Sequence, residues 1–216
     1  MNDPMKLEDT ISLALCRGAE GKPCPYALPM DTTDVEMILG QVEQSGWPAS
    51  LRGAEPGAVN RHRKLGLSFS GCANGCSRPQ IVDFGFIRAC ELEFNPDLCI
   101  HCGQCEDACP ENALAMRPEG PAFDVEACLN CGRCARACPE EALTLGRVGF
   151  RMLVGGRLGR RPRFGVELPG ILPPEKAAAI TAKAIGLYLR DRAPGQRLGD
   201  VLFKHGEQSG LDKLSA

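Results

Sequence analysis

Large aromatic side chains are scarce in this sequence of 216 residues: one Trp, two Tyr and eight Phe make up 5% of it. A core short of rings must be aliphatic, or be organised around something that is not protein. A strong charge of one sign is also missing. There are 25 Lys and Arg against 27 Asp and Glu, a formal net charge of −2. That balance excludes a general polyanion binder, and no helix-turn-helix pattern supports a nucleic-acid-binding sensor. No apolar run approaches the ~18 residues that would span a bilayer. The first residues, MNDPMKLEDT, mix charges and contain no apolar segment of the signal-peptide kind. The expectation is a cytoplasmic protein with no membrane insertion and no nucleic-acid partner. Hydrophobic residues still reach 44%, so a core can be buried and global disorder is excluded. The length suits one or two domains.

Cysteine, by contrast, is plentiful, with 13 in all. An odd number without an export signal argues against a disulfide framework and for metal-ligating thiols in a reducing compartment. None follows Cys138, and eight lie between Cys99 and Cys138. They fall in an internal repeat, CIHCGQCEDACPENAL at 99–114 and CLNCGRCARACPEEAL at 128–143. Each unit is C-x2-C-x2-C-x3-C-P, the run of two-cluster bacterial ferredoxins, whose fourth Cys ligates the other cluster. Three closely spaced cysteines wrap a loop around one cube, and the loop amides face the negative sulfides. On that logic Cys99, Cys102, Cys105 and Cys138 hold one [4Fe-4S] cluster, and Cys128, Cys131, Cys134 and Cys109 hold the other. Structural zinc, built on paired C-x2-C motifs with a long spacer, does not fit. His101 is read either as a solvated loop residue or as a group tuning the nearby cluster.

Outside the repeat, Ile11–Leu15 reads as a strand running into Cys16. Thr33 and Glu36 have capping-box spacing, and Val35, Ile38, Leu39 and Val42 give the following helix one apolar face. Gly46 and Pro48 stop it. Leu65, Leu67 and Phe69 alternate with small residues as a strand, with further strands expected at Ile81–Ile87 and Phe150–Val154. Pro173 and Pro174 open a long helix.

Cys16, Cys24, Cys72, Cys76 and Cys90 remain. Spacing alone leaves a third cluster and a set of buried free thiols equally open. The stretches RHRKLGLSFSGCANGCSRPQIVDFGFI (61–87) and FRMLVGGRLGRRPRFGVELPG (150–170) resemble the sirohaem domain of the sulfite and nitrite reductase family. The likeness is to anaerobic and dissimilatory types, which carry a ferredoxin module inserted between these same two stretches. The resemblance implies a third [4Fe-4S] cluster on Cys16, Cys24, Cys72 and Cys76, with Cys76 bridging to the sirohaem iron. Here the first pair is spaced C-x7-C where the family has C-x5-C, and Ala73 stands where it often has Pro. The resemblance also implies that Arg157, Arg160, Arg161 and Arg163 compensate the sirohaem carboxylates. Arg61, Arg63 and Lys64 would then position the oxyanion and stabilise it as oxygen leaves. The plain alternative for both basic runs is a solvated surface or a docking patch for an acidic partner. Cys90 reads as a buried thiol.

The expected fold is therefore α+β. A sirohaem-domain-like mixed sheet with helices occupies 1–90 and 148–216, with a two-[4Fe-4S] ferredoxin-like domain inserted at 91–147. The expected function is a sulfite-reductase-like oxidoreductase, passing electrons through two ferredoxin clusters and a third to sirohaem, where sulfite or nitrite is reduced. The alternative is a haem-free iron–sulfur electron carrier or a small subunit of a redox complex. Expected partners are an electron-donor protein or redox subunit and a small inorganic anion. The family has a further half domain ahead of the first cysteine pair, where this sequence has 15 residues, so a homo-oligomer or partner subunit is expected to complete the haem pocket.

Overall fold

Five strands and two long helices build the body. The computed structural model describes residues 6–51 and 63–215, so Arg61 lies outside the described residues. The elements are α1 (Leu7–Thr10), β1 (Ile11–Leu15), α2 (Thr32–Gln44), β2 (Leu65–Ser70), β3 (Phe84–Phe94), α3 (Gln104–Asp107), β4 (Leu114–Arg117), β5 (Gly120–Phe123), α4 (Arg133–Arg136), β6 (Leu143–Val154), β7 (Val166–Glu167), α5 (Pro174–Asp191), α6 (Leu198–Leu202) and α7 (Glu207–Ser215). The main sheet runs β1-β2-β3-β6-β7, and β4 pairs with β5 in a separate two-stranded sheet. β1, β2 and β3 are parallel, while β6 is antiparallel to both β3 and β7. The result is the mixed α+β architecture that the sequence implies.

One face of the sheet is covered by α2 and α5. Val35, Ile38 and Val42 of α2 are buried, as are Ala177, Ile180, Ala184 and Tyr188 of α5. The few aromatic rings are concentrated beneath them. Phe69 stacks on Phe86 at 4.5 Å between centroids, and Phe150 meets both edge-on at 6.3 and 5.8 Å. Such pairs add about 0.5–1.5 kcal/mol each beyond burial. The cap of α2 differs from the expected Thr33–Glu36 box. Asp31 is the N-cap, and its carboxylate accepts from the Thr33 amide at 2.9 Å. Both residue types can cap, and Asp31 sits where the chain is still extended.

The other face explains a second difference. Leu65–Phe69 alternates apolar and small residues as a strand, and all six residues of β2 are buried. The crossover 71–83 lies over the Gly66, Ser68 and Ser70 side. Ser68 Oγ donates to the Ser77 carbonyl at 2.8 Å, and Ser77 Oγ to that of Phe69 at 2.8 Å. Asp83 accepts from the Gly66 amide at 2.8 Å. A Cβ on Gly85 would collide with the Pro79 carbonyl. Pro79–Ile81 is therefore a 3-10 turn of the crossover, and β3 begins only at Phe84.

β3 and β6 are longer than their expected cores because both continue out of the body. Their pairing runs from Phe84↔Val154 through Cys90↔Val148, shifts register between Cys90 and Leu92, and resumes from Leu92↔Leu145 to Phe94↔Leu143. The cysteine-rich module grows from the far end of this hairpin. It has its own small core of Cys105, Leu114, Cys134, Ala135 and Leu143.

Candidate metal centres

Within the module the two cysteine sets line two separate cavities. Cys99, Cys102, Cys105 and Cys138 border one, with Leu98, Ile100 and Met116 among its walls. Cys109, Cys128, Cys131 and Cys134 border another, walled by Leu92, Leu114 and Phe123. The fourth cysteine of each run thus faces the cavity of the other run, as crossed ligation requires. Soft thiols in an apolar wall fit iron–sulfur clusters. Burial pushes the Cys134 thiol up to about 11, with Cys131 and Cys128 adding to the rise. Cys105 is raised for the same reason, with Cys102 and Cys138 contributing. Among the described residues no three His, Cys, Asp or Glu side chains converge on a single ion, and thiols around a four-iron cube stand wider than that.

The two loops share a backbone. His101 and Asn130 both sit at positive φ, 55° and 53°, and Gly103 and Gly132 follow at 77° and 68°. Short helices α3 and α4 then carry the third cysteine of each run. Their surroundings differ. The second loop rests on the body. The Asn130 carbonyl accepts from the Cys90 amide at 2.9 Å and the Cys90 thiol at 3.5 Å. Arg136 donates to the carbonyls of Pro25 and Ala27, and Arg133 lies over the Tyr26 ring at 5.8 Å. Cys90 is fully buried, and burial followed by the charge of Cys131 pushes its thiol up to about 12. Among the described residues the first loop makes no such contacts with the body, and Ile100 there is 61% exposed.

Cys16, Cys24, Cys72 and Cys76 come together at the carboxyl ends of β1 and β2. The parallel register pairs Leu15 with Phe69, so Cys16 and Gly71 leave adjacent strands side by side. The Gly71 amide lies 3.1 Å from Cys16 Sγ, donating to it. The loop after Cys16 folds back, Leu28 donating to the Gly71 carbonyl at 2.9 Å. It absorbs the seven-residue spacing in a turn closed by the Glu20 amide on the Cys16 carbonyl and the Lys22 amide on that of Arg17, at 3.0 and 2.9 Å. Burial raises the Cys72 thiol, and the charges of Cys24, Cys16 and Cys76 raise it further. Cys16, Cys24 and Cys76 are thus all within electrostatic reach of Cys72. Cys76 is exposed and Cys72 buried.

The basic residues divide. Arg157 and Arg163 turn inward. Arg157 forms a two-oxygen pair with Asp200 at 2.9 Å, and Arg163 donates to the Gly155 carbonyl at 2.9 Å. Arg160 and Arg161 are exposed, as are Leu158 and Phe164 on the same loop, at 66% and 73%. Arg63 and Lys64 stand at the start of β2, the end opposite Cys72. Six residues of strand, roughly 20 Å, intervene. There they border a larger, open cavity of about 480 Å³, with Tyr188, Arg192 and Arg197. Asp83 at its base is raised by burial, partly offset by Arg197, which pairs with it at 2.6 Å.

Arg133, Arg136, Arg192 and Arg197 were not singled out by the sequence. The repeat carries a signal for the first two. The first unit has Gln104 and Asp107 where the second has Arg133 and Arg136, a local charge reversal within otherwise like units.

A family of 4Fe-4S dicluster domains matches residues 98–144. Over 153 residues, 70% of this chain, the sequence is 35% identical to the coenzyme F420-dependent sulfite reductase of Methanocaldococcus jannaschii, covering 24% of that protein. Over 44 residues, 20% of this chain, it is 39% identical to a polypeptide of the anaerobic sulfite reductase of Salmonella typhimurium, covering 13% of that polypeptide. The crystal structure of dissimilatory sulfite reductase I superposes on 94% of this chain and 52% of its own, with a TM-score of 0.58 at 18% identity, a likeness of fold. The chain spans no more than about a quarter of the length of these two curated relatives. None of the described helices is long and apolar enough to cross a membrane.

Proposed function

We propose that the chain, whose residues 98–144 match a family of 4Fe-4S dicluster domains, is of the sulfite/nitrite reductase type and is an iron–sulfur redox protein serving sulfite or nitrite reduction. Electrons enter at the exposed cysteine loop, and the site of delivery is the group of Cys16, Cys24, Cys72 and Cys76. The observation that carries this reading is the docking of the second cysteine loop on residues 25–27, which follow Cys24 directly. Three thiol sets then stand in series: one at the outer loop, one against the body, and one at the carboxyl ends of β1 and β2.

In this reading Cys99, Cys102, Cys105 and Cys138 hold the outer cluster, and Cys128, Cys131, Cys134 and Cys109 the inner one. Cys16, Cys24, Cys72 and Cys76 hold the third, and Cys76, exposed, is the thiol able to share its sulfur with a sirohaem. When bound, these groups would supply one-electron storage and the reducing chemistry that an oxyanion substrate requires. Arg160 and Arg161, exposed on the loop after Gly155 and Gly156, answer the sirohaem carboxylates. Arg157 and Arg163 hold that loop in shape through Asp200 and the Gly155 carbonyl. Arg63 and Lys64 draw anions to the other end of β2 by charge rather than touching the reacting atoms.

The test is iron and acid-labile sulfide content with a visible spectrum, on protein purified without oxygen from a host that makes sirohaem. About 13 iron atoms with isobacteriochlorin bands is the expected result. About 8 with broad cluster absorbance alone would overturn the reductase reading. A second reading, a haem-free electron carrier or redox subunit, is favoured by the Asp200 pairing that occupies Arg157. It predicts about 8 or 12 iron atoms and no haem bands.

A further inference from the structure

The outer end of the module is apolar at its centre and acidic at its rim. We propose that this face docks a redox protein whose own cofactor edge is ringed by lysines and arginines. The inference rests on the electron-transfer reading above and deepens it by naming the partner's chemistry.

Three observations carry it. The first is composition: residues 91–147 hold eleven Asp and Glu against four Arg and no Lys, while the rest of the chain has five more basic than acidic residues. All eleven carboxylates are exposed. The second is where the four arginines go. Arg133 and Arg136 turn to Tyr26, Pro25 and Ala27 of the body, Arg147 pairs with Glu91, and Arg117 stands at the β4–β5 turn. None belongs to the first cysteine loop. The third is the apolar centre: Leu98 and Ile100 are 48% and 61% exposed and border the cavity of Cys99, Cys102, Cys105 and Cys138. Glu140 lines the same cavity, and Asp97 adjoins Leu98 in sequence.

An apolar patch with a charged rim is the anatomy of a protein interface. The charge separation adds direction. A cationic partner is drawn to the outer loop and repelled from the basic body, so its encounters are concentrated where electrons can cross. The transfer itself breaks no bond. One electron leaves the partner's reduced flavin or iron–sulfur group and is gained by the iron that Cys99, Cys102, Cys105 and Cys138 hold. Residence need only be brief, because the contact is small and its rim is wet.

The test uses the full chain with clusters loaded, first assayed for iron, then reduced with dithionite and mixed in a stopped-flow instrument. Cationic cytochrome c and anionic plastocyanin are the probes, each accepting one electron. At about 10 mM salt cytochrome c should react at least about tenfold faster than plastocyanin, and the gap should close near 300 mM. Asp97→Lys with Glu140→Lys should slow cytochrome c about tenfold at low salt, while Glu126→Lys on the second loop changes it less than about twofold. Equal effects per reversed charge at the two loops, or plastocyanin reacting as fast as cytochrome c, would overturn the docking inference with clusters intact. A wild-type chain that binds no iron would instead overturn the electron-transfer reading and this inference with it. The salt dependence of the wild-type chain decides the matter even if a variant fails to load.

Discussion

The two cysteine loops are near copies in sequence and backbone, yet one is exposed and the other is part of an internal joint. Ile100 is largely exposed, whereas its counterpart Leu129 is half-buried and gives its carbonyl to Arg151. His101 stands in solvent where Asn130 is held by Cys90. A Cβ on Gly103 would meet nothing within 4 Å, while one on Gly132 would lie 2.5 Å from Leu145, 2.9 Å from the Cys90 sulfur and 3.2 Å from Leu28. A repeat fixes what a loop can bind. The residues at its flanks fix which way it faces and therefore its place in a series.

The sharpest way to break this comparison is a pair of matched substitutions. Gly103→Ala and Gly132→Ala both place a side chain at positive φ, costing about 1–2 kcal/mol. Only Gly132→Ala also overpacks the joint, adding about 1–3 kcal/mol. Thermal unfolding of the two variants should therefore differ by several degrees, with Gly132→Ala the less stable. Equal shifts would mean that the joint is not tightly packed.

Next in size is Arg136→Gln, which loosens the hold on Pro25 and Ala27 and should cost about 1 kcal/mol. Asp107→Asn, the matching change in the first unit, should stay within about 0.5 kcal/mol. Denaturant midpoints of both variants check this. A chemical contrast follows from the thiols. In the iron-free chain at pH 8, iodoacetamide should label exposed Cys102 and spare Cys90. Because burial raises the Cys90 thiol to about 12, its reactive thiolate stays negligible at pH 8 and grows only as the pH rises toward that value. Peptide mass spectrometry reads the result, and labelling of Cys90 at the rate of Cys102 would contradict its burial. Smallest is His101→Asn. Asn tolerates the left-handed conformation as well as any side chain, so stability should change by less than about 0.5 kcal/mol.

Much of the centre was legible in the sequence because cluster ligation is written locally. Cys99 to Cys109 and Cys128 to Cys138 carry their own spacing, and the structure lines a cavity with each crossed set. The third group was legible only by resemblance. Cys16 meets the amide of Gly71, 55 residues further along the chain, and only the parallel pairing of β1 with β2 brings Cys16 beside Cys72. Strand extents were less legible. The alternation in Leu65–Ser70 does not show that the crossover buries Ser68 and Ser70, and β3 and β6 look short until their pairing through the module is known. The placement of Arg63 and Lys64 away from Cys72 was not legible at all, since sequence proximity to a strand does not say at which of its ends the chemistry sits.

The register shift between Cys90 and Leu92 has a consequence for geometry. It lies where the paired strands leave the body, so everything beyond it is carried on a two-stranded stem. In a strand, moving by one residue turns every side chain to the opposite face. A single residue inserted or removed at Glu91 would thus rotate the whole module on its stem and swing Arg133 and Arg136 away from residues 25–27. The order of the three thiol sets is in this sense indexed by strand register, like the keying of a shaft, and one bulge holds the index.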